Sequence, residues 1–453
     1  MAEKTVGITL LGCGIVGGGV VQILREQRQL LRERTGIHFE IRHVVVKGPE
    51  DYPPNASDLP MSTNASAAID DPKSDVVVEL IGGTGVSETF IERALKLGKP
   101  VVTANKSLLA TRGPDLFRLA RQNDTCIAFE ASCGGGIPII DALTRGLLAN
   151  RIDALLGIVN GTCNVILTRM TQNGWSYDQA LAEAQKLGFA EANPTLDVSG
   201  RDAAQKLAIL ASLAFNVRVA EADVHVEGID TLQSADIQFA KELGYVIKLL
   251  AIAQRHTPIS PLPHSPTPPP SHAISLRVHP TLVHEHDVLA DVGGSFNAIS
   301  VYGHALGHGL WYGRGAGRTP TASAVIADLI GVAMGVTPLA FRQLNVFPDQ
   351  TPAATVLSFD QLTSRYYLRL MCRDQPGVLA QITRILGDHR VSVASIRQHE
   401  MNETQFVPVV ITTHLASEGP MQDAVRTIDA LDTIAGPSVC LRIIDQPQEF
   451  AGR

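Results

Sequence analysis

Residues 199 to 215 read SGRDAAQKLAILASLAF, a helical pattern in which one lysine, Lys206, stands among almost wholly apolar neighbours. Ala203, Leu207, Leu210 and Ala214 mark one face, and Asp202, Lys206, Ile209 and Leu213 fall on the adjoining stripe. A helix apolar on so many sides is buried. A lysine near its N-terminus also meets the positive end of the helix dipole, which disfavours a cation. Two readings fit these residues equally: Asp202 and Lys206 as an i,i+4 ion pair worth a few tenths of a kcal/mol, or Lys206 as a catalytic acid/base. Ser199 and Asp202, three residues apart, predict a capping box that opens the helix near Gly200.

A second chemical signal lies in GCGIVGGG, where Gly12, Gly14 and Gly17 have G-x-G-x-x-G spacing. The strand pattern VGITLLG precedes it and the helix pattern VVQILREQRQLLRER follows, the context a dinucleotide loop needs. The first glycine makes the turn, the second admits the pyrophosphate, and the third lets helix and strand pack closely. Backbone N–H groups at the helix N-terminus then face the phosphate charge. The second strand ends VVVKGP, placing Lys47 about where an acid would bind a free ribose 2′-hydroxyl. A cation there favours a 2′-phosphate, so NADP is expected, with NAD possible. Cys133 is a candidate nucleophile for thioester chemistry on an aldehyde, although no histidine base lies close in sequence. His304 and His308 in HALGH lack the intervening glutamate of a zinc protease, lie among glycines, and read as loop residues.

These residues need elements to position them. A chain of 453 residues holds about three domains, and 45% apolar against 18% charged content fits a compact fold. The net charge of -7 and the lack of a long basic run argue against nucleic acid. No apolar stretch is long enough for a membrane span, and MAEKTVGITLLG runs straight into a strand, so no signal peptide is expected. Six scattered cysteines without C-x-x-C spacing read as reduced thiols of a cytoplasmic protein. In the first section the runs IRHVVV, DVVVELIGG, KPVVTAN and CIAFEAS, with the crossover helix ETFIERALKLG, predict a parallel sheet covered on both faces. The middle section, from about Asn150, mixes strands and helices; in SYDQALAEAQKLG, Ser176 and Gln179 predict a capping box and Gly188 a stop. The proline-rich stretch 255–272 reads as an exposed loop. From about Ser364 the order is β-α-β-β-α-β, a ferredoxin-like unit, with Leu379, Ile382, Ile385 and Leu386 facing inward and VFPDQTPAATVLSFD as its connector.

The glycine loop is followed in order by TANK, EASCGGGIPII, NGTCN, GFAEANPTLDVSGRDAAQK and GRGAGRTPTASAV. With these motifs the chain resembles the homoserine dehydrogenase family from about Val6 to Val346. The last section, with RDQPGVLAQIT, resembles an ACT domain, a small regulatory module that commonly binds amino acids. The resemblance implies an α/β architecture. A Rossmann-type doubly wound parallel sheet would occupy 1–148 and be completed by a segment returning near 312–345. An α+β domain for substrate, catalysis and dimerisation would span 149–311 and carry the proline-rich insertion. A linker at 346–363 would lead to the ferredoxin-like ACT domain at 364–446.

It also implies reversible, NAD(P)-dependent interconversion of L-aspartate 4-semialdehyde and L-homoserine. Lys206 would be the catalytic acid/base, Lys106 of the TANK motif would lie beside cofactor and substrate, and Asp202 would serve both catalysis and substrate binding. Glu191 would bind substrate, with Asp197 nearby. Gly12, Gly14, Ile15, Val16, Gly17, Lys47, Gly82, Lys106 and Gly315 would line the cofactor. A monovalent cation, sodium in some members, would be held at Glu130, Cys133, Gly135 and Ile137, three of them through backbone carbonyls. Threonine is the expected effector, and a homodimer or homotetramer the expected assembly. The chemistry agrees with the residue types: hydride delivered to an aldehyde leaves an alkoxide, and an ammonium both protonates it and balances its charge. The rival from another class is a non-catalytic sensor, which would have no use for Lys106, Lys206 and Asp202 together.

Overall fold

The five apolar runs of the N-terminal section, with the unforeseen two-residue β3, pair in parallel as β1 (Lys4–Leu11), β2 (Ile37–Val45), β3 (Met61–Ser62), β4 (Val76–Glu79), β5 (Val101–Thr103) and β6 (Ile127–Ala128), in the spatial order β3-β2-β1-β4-β5-β6. The order reverses between β1 and β4, so the chain winds over both faces and a crevice forms beyond the carboxyl ends of these two strands. β1 is buried from Val6 to Leu11 and β4 throughout, as strands covered on both faces must be. The helices are α1 (Ile15–Glu26), α2 (Arg28–Thr35), α3 (Ala65–Asp70), α4 (Val86–Lys96) and α5 (Lys106–Gln122). The run expected as one helix after the glycine loop is two, broken at Gln27; none of the residues of α2 is buried, so no core face holds it in line with α1. CIAFEAS yields only the two-residue β6 before a 3-10 turn at Glu130–Ser132.

The computed structural model describes residues 4–48, 51, 58–256, 273–398 and 406–444. The chain forms two units: Met1–Val159, Ala203–Val224 and Ser295–Ala354 make one, and Asn160–Asp202, His225–Gly294 and Thr355–Arg453 the other. In the first, the Arg318–Ala333 helix packs on α1 across glycine: a Cβ at Gly19 would stand 2.5 Å from the Arg318 carbonyl oxygen. Lys4 Nζ donates to Ala333 O at 2.6 Å from the other end of that helix. Phe347 is buried against Phe117 and Phe341, and Arg121 pairs with Asp349 at 2.6 Å, so residues 347 to 349 are packed rather than a loose connector. The same unit holds an antiparallel set of Ile152–Ile158, Phe296–Gly303 and Gly307–Arg314. His304 lies in its turn, whereas His308, read as a loop residue, stands on the last strand, stacked on Tyr302 with its Nε2 3.1 Å from Ser300 Oγ.

The second unit opens with the Gly161–Asn173 and Tyr177–Lys186 helices; Ser176 and Gln179 form the expected capping box, and Gly188 takes the expected left-handed turn. Strand Tyr245–His256 pairs antiparallel with Ala273–His284. Of the proline-rich stretch only Arg255 and His256 belong to the described residues, as the end of that strand. Then come strand Thr363–Arg373, helix Val378–Asp388, strands Val393–Gln398 and Phe406–Thr413, helix Glu418–Asp429 and strand Val439–Ile444, the expected ferredoxin-like order with a two-residue strand added at Ala416–Ser417. Val378, Ile382 and Leu386 face the core of this module and Ile385 packs at its edge. Leu379 points outward instead, because burial of Val378 at the first helical position sets the phase of the helix.

This module is fused to the rest of its unit. Strand Val439–Ile444 runs parallel to Ala273–His284, pairing Arg442 with Thr281 and Ile443 with Leu282. Beside this seam Arg442 is buried between the Glu418 and Glu227 carboxylates, and Tyr366 Oη donates to Glu418 at 2.9 Å. Arg369 donates to Asp236 at 2.6 Å, again fully buried, and Tyr367 Oη adds a second donor at 3.1 Å. Burial opposes the Glu227 charge, yet His225 and Arg442 hold its carboxyl at about 2.

Candidate active site

The glycine loop sits at the reversal of the parallel sheet, between the end of β1 and the start of α1. Gly12 has φ +92°, and a Cβ there would lie 2.9 Å from the Leu80 carbonyl. A Cβ at Gly17 would stand 2.3 Å from the Gly12 oxygen, so both positions demand glycine. A Cβ at Gly14 would meet nothing within 4 Å, and no side chain caps α1, which leaves the leading N–H groups, at Ile15 and Val16, for a ligand. At the end of β4, the buried Glu79 accepts from the N–H groups of Ile81 and Gly82, each at 2.8 Å, and from Thr103 Oγ1 at 2.6 Å. One carboxylate thus fixes the loop that carries Gly82, which has φ +80°. Lys47 is exposed just past β2. This cradle fits the pyrophosphate of a dinucleotide.

Lys106 is the first residue of α5, capped by Asn105 through the Leu108 N–H. Lys206 Nζ donates to the Val159 carbonyl at 2.7 Å. The charges of Lys206 and Lys106 both act on the Cys133 thiol, so the structure draws the two lysines into one region. That thiol is fully buried, and burial pushes it up to about 12 against the Ser132 hydrogen bond and both lysines. A thiol buried and held protonated in this way is a poor nucleophile, which argues against the thioester alternative. Cys133→Ser is expected to retain turnover within about tenfold, whereas loss of a true nucleophile would cost many orders of magnitude; a steady-state assay of the variant decides.

Glu130 is buried and its carboxylate accepts from the Ile140 and Asp141 N–H groups, both at 2.8 Å. Burial raises this carboxyl to about 7 in spite of those two donors. No group of three or more His, Cys, Asp or Glu among the described residues is placed to hold a metal ion, so backbone carbonyls are what this segment offers a cation. Gly135 and Gly315, expected at the cation and the cofactor, are brought together: a Cβ at Gly135 would fall 2.5 Å from the Gly315 backbone. Ile137 is buried and its carbonyl accepts from Ile139 N at 2.8 Å.

In the second unit Asp197 and Asp202 come together on Asn160, the first residue of the NGTCN motif, to which the sequence had assigned no role. Its Nδ2 donates to Asp197 Oδ1 at 2.7 Å and Asp202 Oδ2 at 2.8 Å. Glu191 stands exposed in the loop before the Thr195–Val198 helix. The expected Ser199–Asp202 capping box does not form. Ser199 instead ends the Thr195–Val198 helix, and its hydroxyl is buried without a hydrogen-bond partner among the described residues. Gly200 turns the chain with φ +83°, and the Arg201–Phe215 helix follows; of the expected face Ala203, Leu207 and Leu210 are buried and Ala214, near the helix end, is half-buried.

A doubly wound sheet with a glycine cradle at its reversal, together with the half-buried Lys106 and Lys206 drawn into one region, defines a dinucleotide-dependent oxidoreductase. Family models agree: homoserine dehydrogenase NAD-binding domain matches residues 12–130, homoserine dehydrogenase residues 138–330, and ACT domain residues 366–433. The chain belongs to the homoserine dehydrogenase family, which also excludes the sensor alternative. A homoserine dehydrogenase from Pseudomonas aeruginosa is 40% identical, with 97% of this chain and 99% of that one covered. One from Bacillus subtilis is 39% identical, covering 95% and 96%. The crystal structure of a homoserine dehydrogenase from Thiobacillus denitrificans, 41% identical, superposes with a TM-score of 0.89 over 98% of this chain and 99% of that one. That of S. aureus homoserine dehydrogenase, 31% identical, gives 0.73 over 98% and 99%.

Proposed function

We propose that the enzyme interconverts L-aspartate 4-semialdehyde and L-homoserine, with Lys206 as acid/base. The observation that carries this reading is the Lys206 ammonium, presented from an otherwise apolar helix and oriented by the Val159 carbonyl. In the reducing direction Lys206 gives a proton to the oxygen that becomes the hydroxyl, and its charge stabilises that oxygen as negative charge develops. In the reverse direction the amine removes the hydroxyl proton. Lys106 adds positive charge beside cofactor and substrate. Asp202, Asp197 and Glu191 take the substrate ammonium. Reduced nicotinamide, when bound, supplies the hydride. Gly12, Gly14, Ile15, Val16, Gly17, Gly82 and Gly315 hold this cofactor through backbone and close packing, and Lys47 favours the 2′-phosphate of NADP over NAD. A monovalent cation, sodium by resemblance, would sit on the carbonyls around Glu130, Cys133, Gly135 and Ile137. Six free thiols fit a cytoplasmic enzyme, and a homodimer or homotetramer is the assembly the family resemblance supports. The test is oxidation of NADPH and of NADH at 340 nm with L-aspartate 4-semialdehyde. Turnover with a preference for NADPH is expected, and absence of turnover with either cofactor would overturn the reading.

Threonine is the proposed effector. The loop Arg373–Gly377 leaves the first ACT strand and enters the helix at Val378, with Gln398 and Val409 lining the same cavity. Asp374 is exposed in this loop and suits an amino-acid ammonium. Asp374→Ala is expected to raise the threonine concentration for half-inhibition at least tenfold with kcat unchanged. Equal inhibition of both proteins would place the effector elsewhere.

A further inference from the structure

We infer that Asn160 is a positioning residue that aligns Asp197 and Asp202 without cancelling their charge. The inference rests on the reading above, in which those carboxylates receive the substrate ammonium. Asn160 is the N-cap of the Gly161–Asn173 helix, and its Oδ1 accepts from Cys163 N at 2.8 Å. That bond fixes which way the amide faces: its oxygen goes to the helix and its NH2 to the acids. Both amide hydrogens are then used, one on Asp197 Oδ1 at 2.7 Å and one on Asp202 Oδ2 at 2.8 Å. The second oxygen of Asp197 accepts from Thr162 Oγ1 at 3.2 Å, and Thr162 Oγ1 also reaches Phe189 O at 2.8 Å. Asn160 and Asp202 are both buried, so these bonds are shielded from competing water.

The choice of side chain matters. Two carboxylates sharing one donor repel each other. A lysine or arginine at position 160 would hold both acids and neutralise them. An asparagine holds both without adding a charge of its own. Asn160 thereby ties three tasks to one amide: it starts a helix, orients Asp197, and orients Asp202 one helical turn before Lys206. The preceding residue, Val159, supplies the carbonyl that orients Lys206 Nζ, so two consecutive residues aim the carboxylates and the ammonium of the proposed chemistry.

Serine caps a helix about as well as asparagine but has no second donor for the acids. In the full-length enzyme Asn160→Ser is therefore expected to keep its thermal midpoint within a few degrees and its NADPH affinity within twofold. Its KM for L-homoserine should rise at least tenfold, and kcat/KM should fall about 10²-fold, the scale of loss from misplacing a binding group. The double variant N160S/D202N should lose less than the product of the two single losses, because one of the two carboxylates that Asn160 aligns is already gone. Wild-type KM and kcat in N160S would overturn the inference, as would a full additional loss on the D202N background, which marks a merely structural role. If D202N itself leaves KM and kcat unchanged, the carboxylates do not hold substrate, and the functional reading falls along with this one. Should N160S fail to fold, N160D keeps the cap and adds a third carboxyl. The acidic limb of its kcat/KM profile should move to higher pH, and an unmoved limb would overturn the inference.

Discussion

Replacing Lys206 by alanine is expected to leave a folded, cofactor-binding chain that has lost at least three orders of magnitude in kcat. The general-acid contribution of one positioned group is about 10²- to 10⁴-fold, and removal of a charge that stabilises a developing oxyanion costs about 10²- to 10³-fold. Lys206 is proposed to supply both, which sets the size of the loss. The fold should tolerate the change, because Ala203, Leu207 and Leu210 bury the helix without it and alanine is the best helix former. The ammonium donates to Val159 O at 2.7 Å, and that carbonyl has room for water once the side chain is cut back. Lys206→Arg sharpens the test. It keeps the positive charge but cannot act as a base near neutral pH, so homoserine oxidation should suffer more than semialdehyde reduction. Both are read from initial rates at 340 nm, with NADPH binding followed by its fluorescence. Alanine-variant turnover within tenfold of wild type would return Lys206 to the ion-pair reading.

The second large effect is on stability. Glu418→Ala removes the acceptor of the Arg442 Nε and Nη2 groups, of Tyr366 Oη and of Gln422 Nε2. Glu418 and Arg442 are 1% and 2% exposed, so water does not replace the lost partner. Breaking a buried pair from one side costs about 3–5 kcal/mol, and a stranded tyrosine hydroxyl adds to it. Glu227 remains as the one carboxylate on Arg442, and the Phe359 ring lies 4.9 Å from its guanidinium. The transition that reports this module in calorimetry should move down by about 10 °C. A shift under about 2 °C would show that Glu227 alone satisfies the arginine. The Glu227 contribution has a definite pH window. Its carboxyl is held at about 2, below the usual 4.5, so the stabilisation is complete above 4.5 and lost as pH falls toward and through 2.

Local signals carried most of the architecture. The alternation of strand and helix patterns gave the parallel sheet, the glycine spacing gave the cradle, and Ser176 with Gln179 gave a helix start that forms as expected. The same kind of local signal misled at Ser199, where Gly200 re-aims the chain before the cap can close. Pairings distant in sequence were not legible. Asn160 reads locally as a helix cap, and nothing near it says that its amide meets carboxylates 37 and 42 residues away. Arg442 and Glu227 are 215 residues apart, and Arg369 and Asp236 are 133 apart; in a sequence each looks like a surface charge. The break at Gln27 was invisible because α2 keeps a helical composition while lacking any buried residue.

The parallel pairing of Val439–Ile444 with Ala273–His284 bears on how this family's regulation can be engineered or gained. A regulatory module hung on a tether can be cut off, exchanged or borrowed like a cassette. Here excision would bare the strand edge at Thr281–Val283, an invitation to edge pairing between chains, and would strand Asp236 and Glu227 without their arginines. A truncated enzyme with altered kinetics would therefore report damage as readily as lost regulation. Point changes in the Arg373–Gly377 loop are the cleaner probe of the module, and recombination between relatives should cross over within the helices rather than at the module boundary.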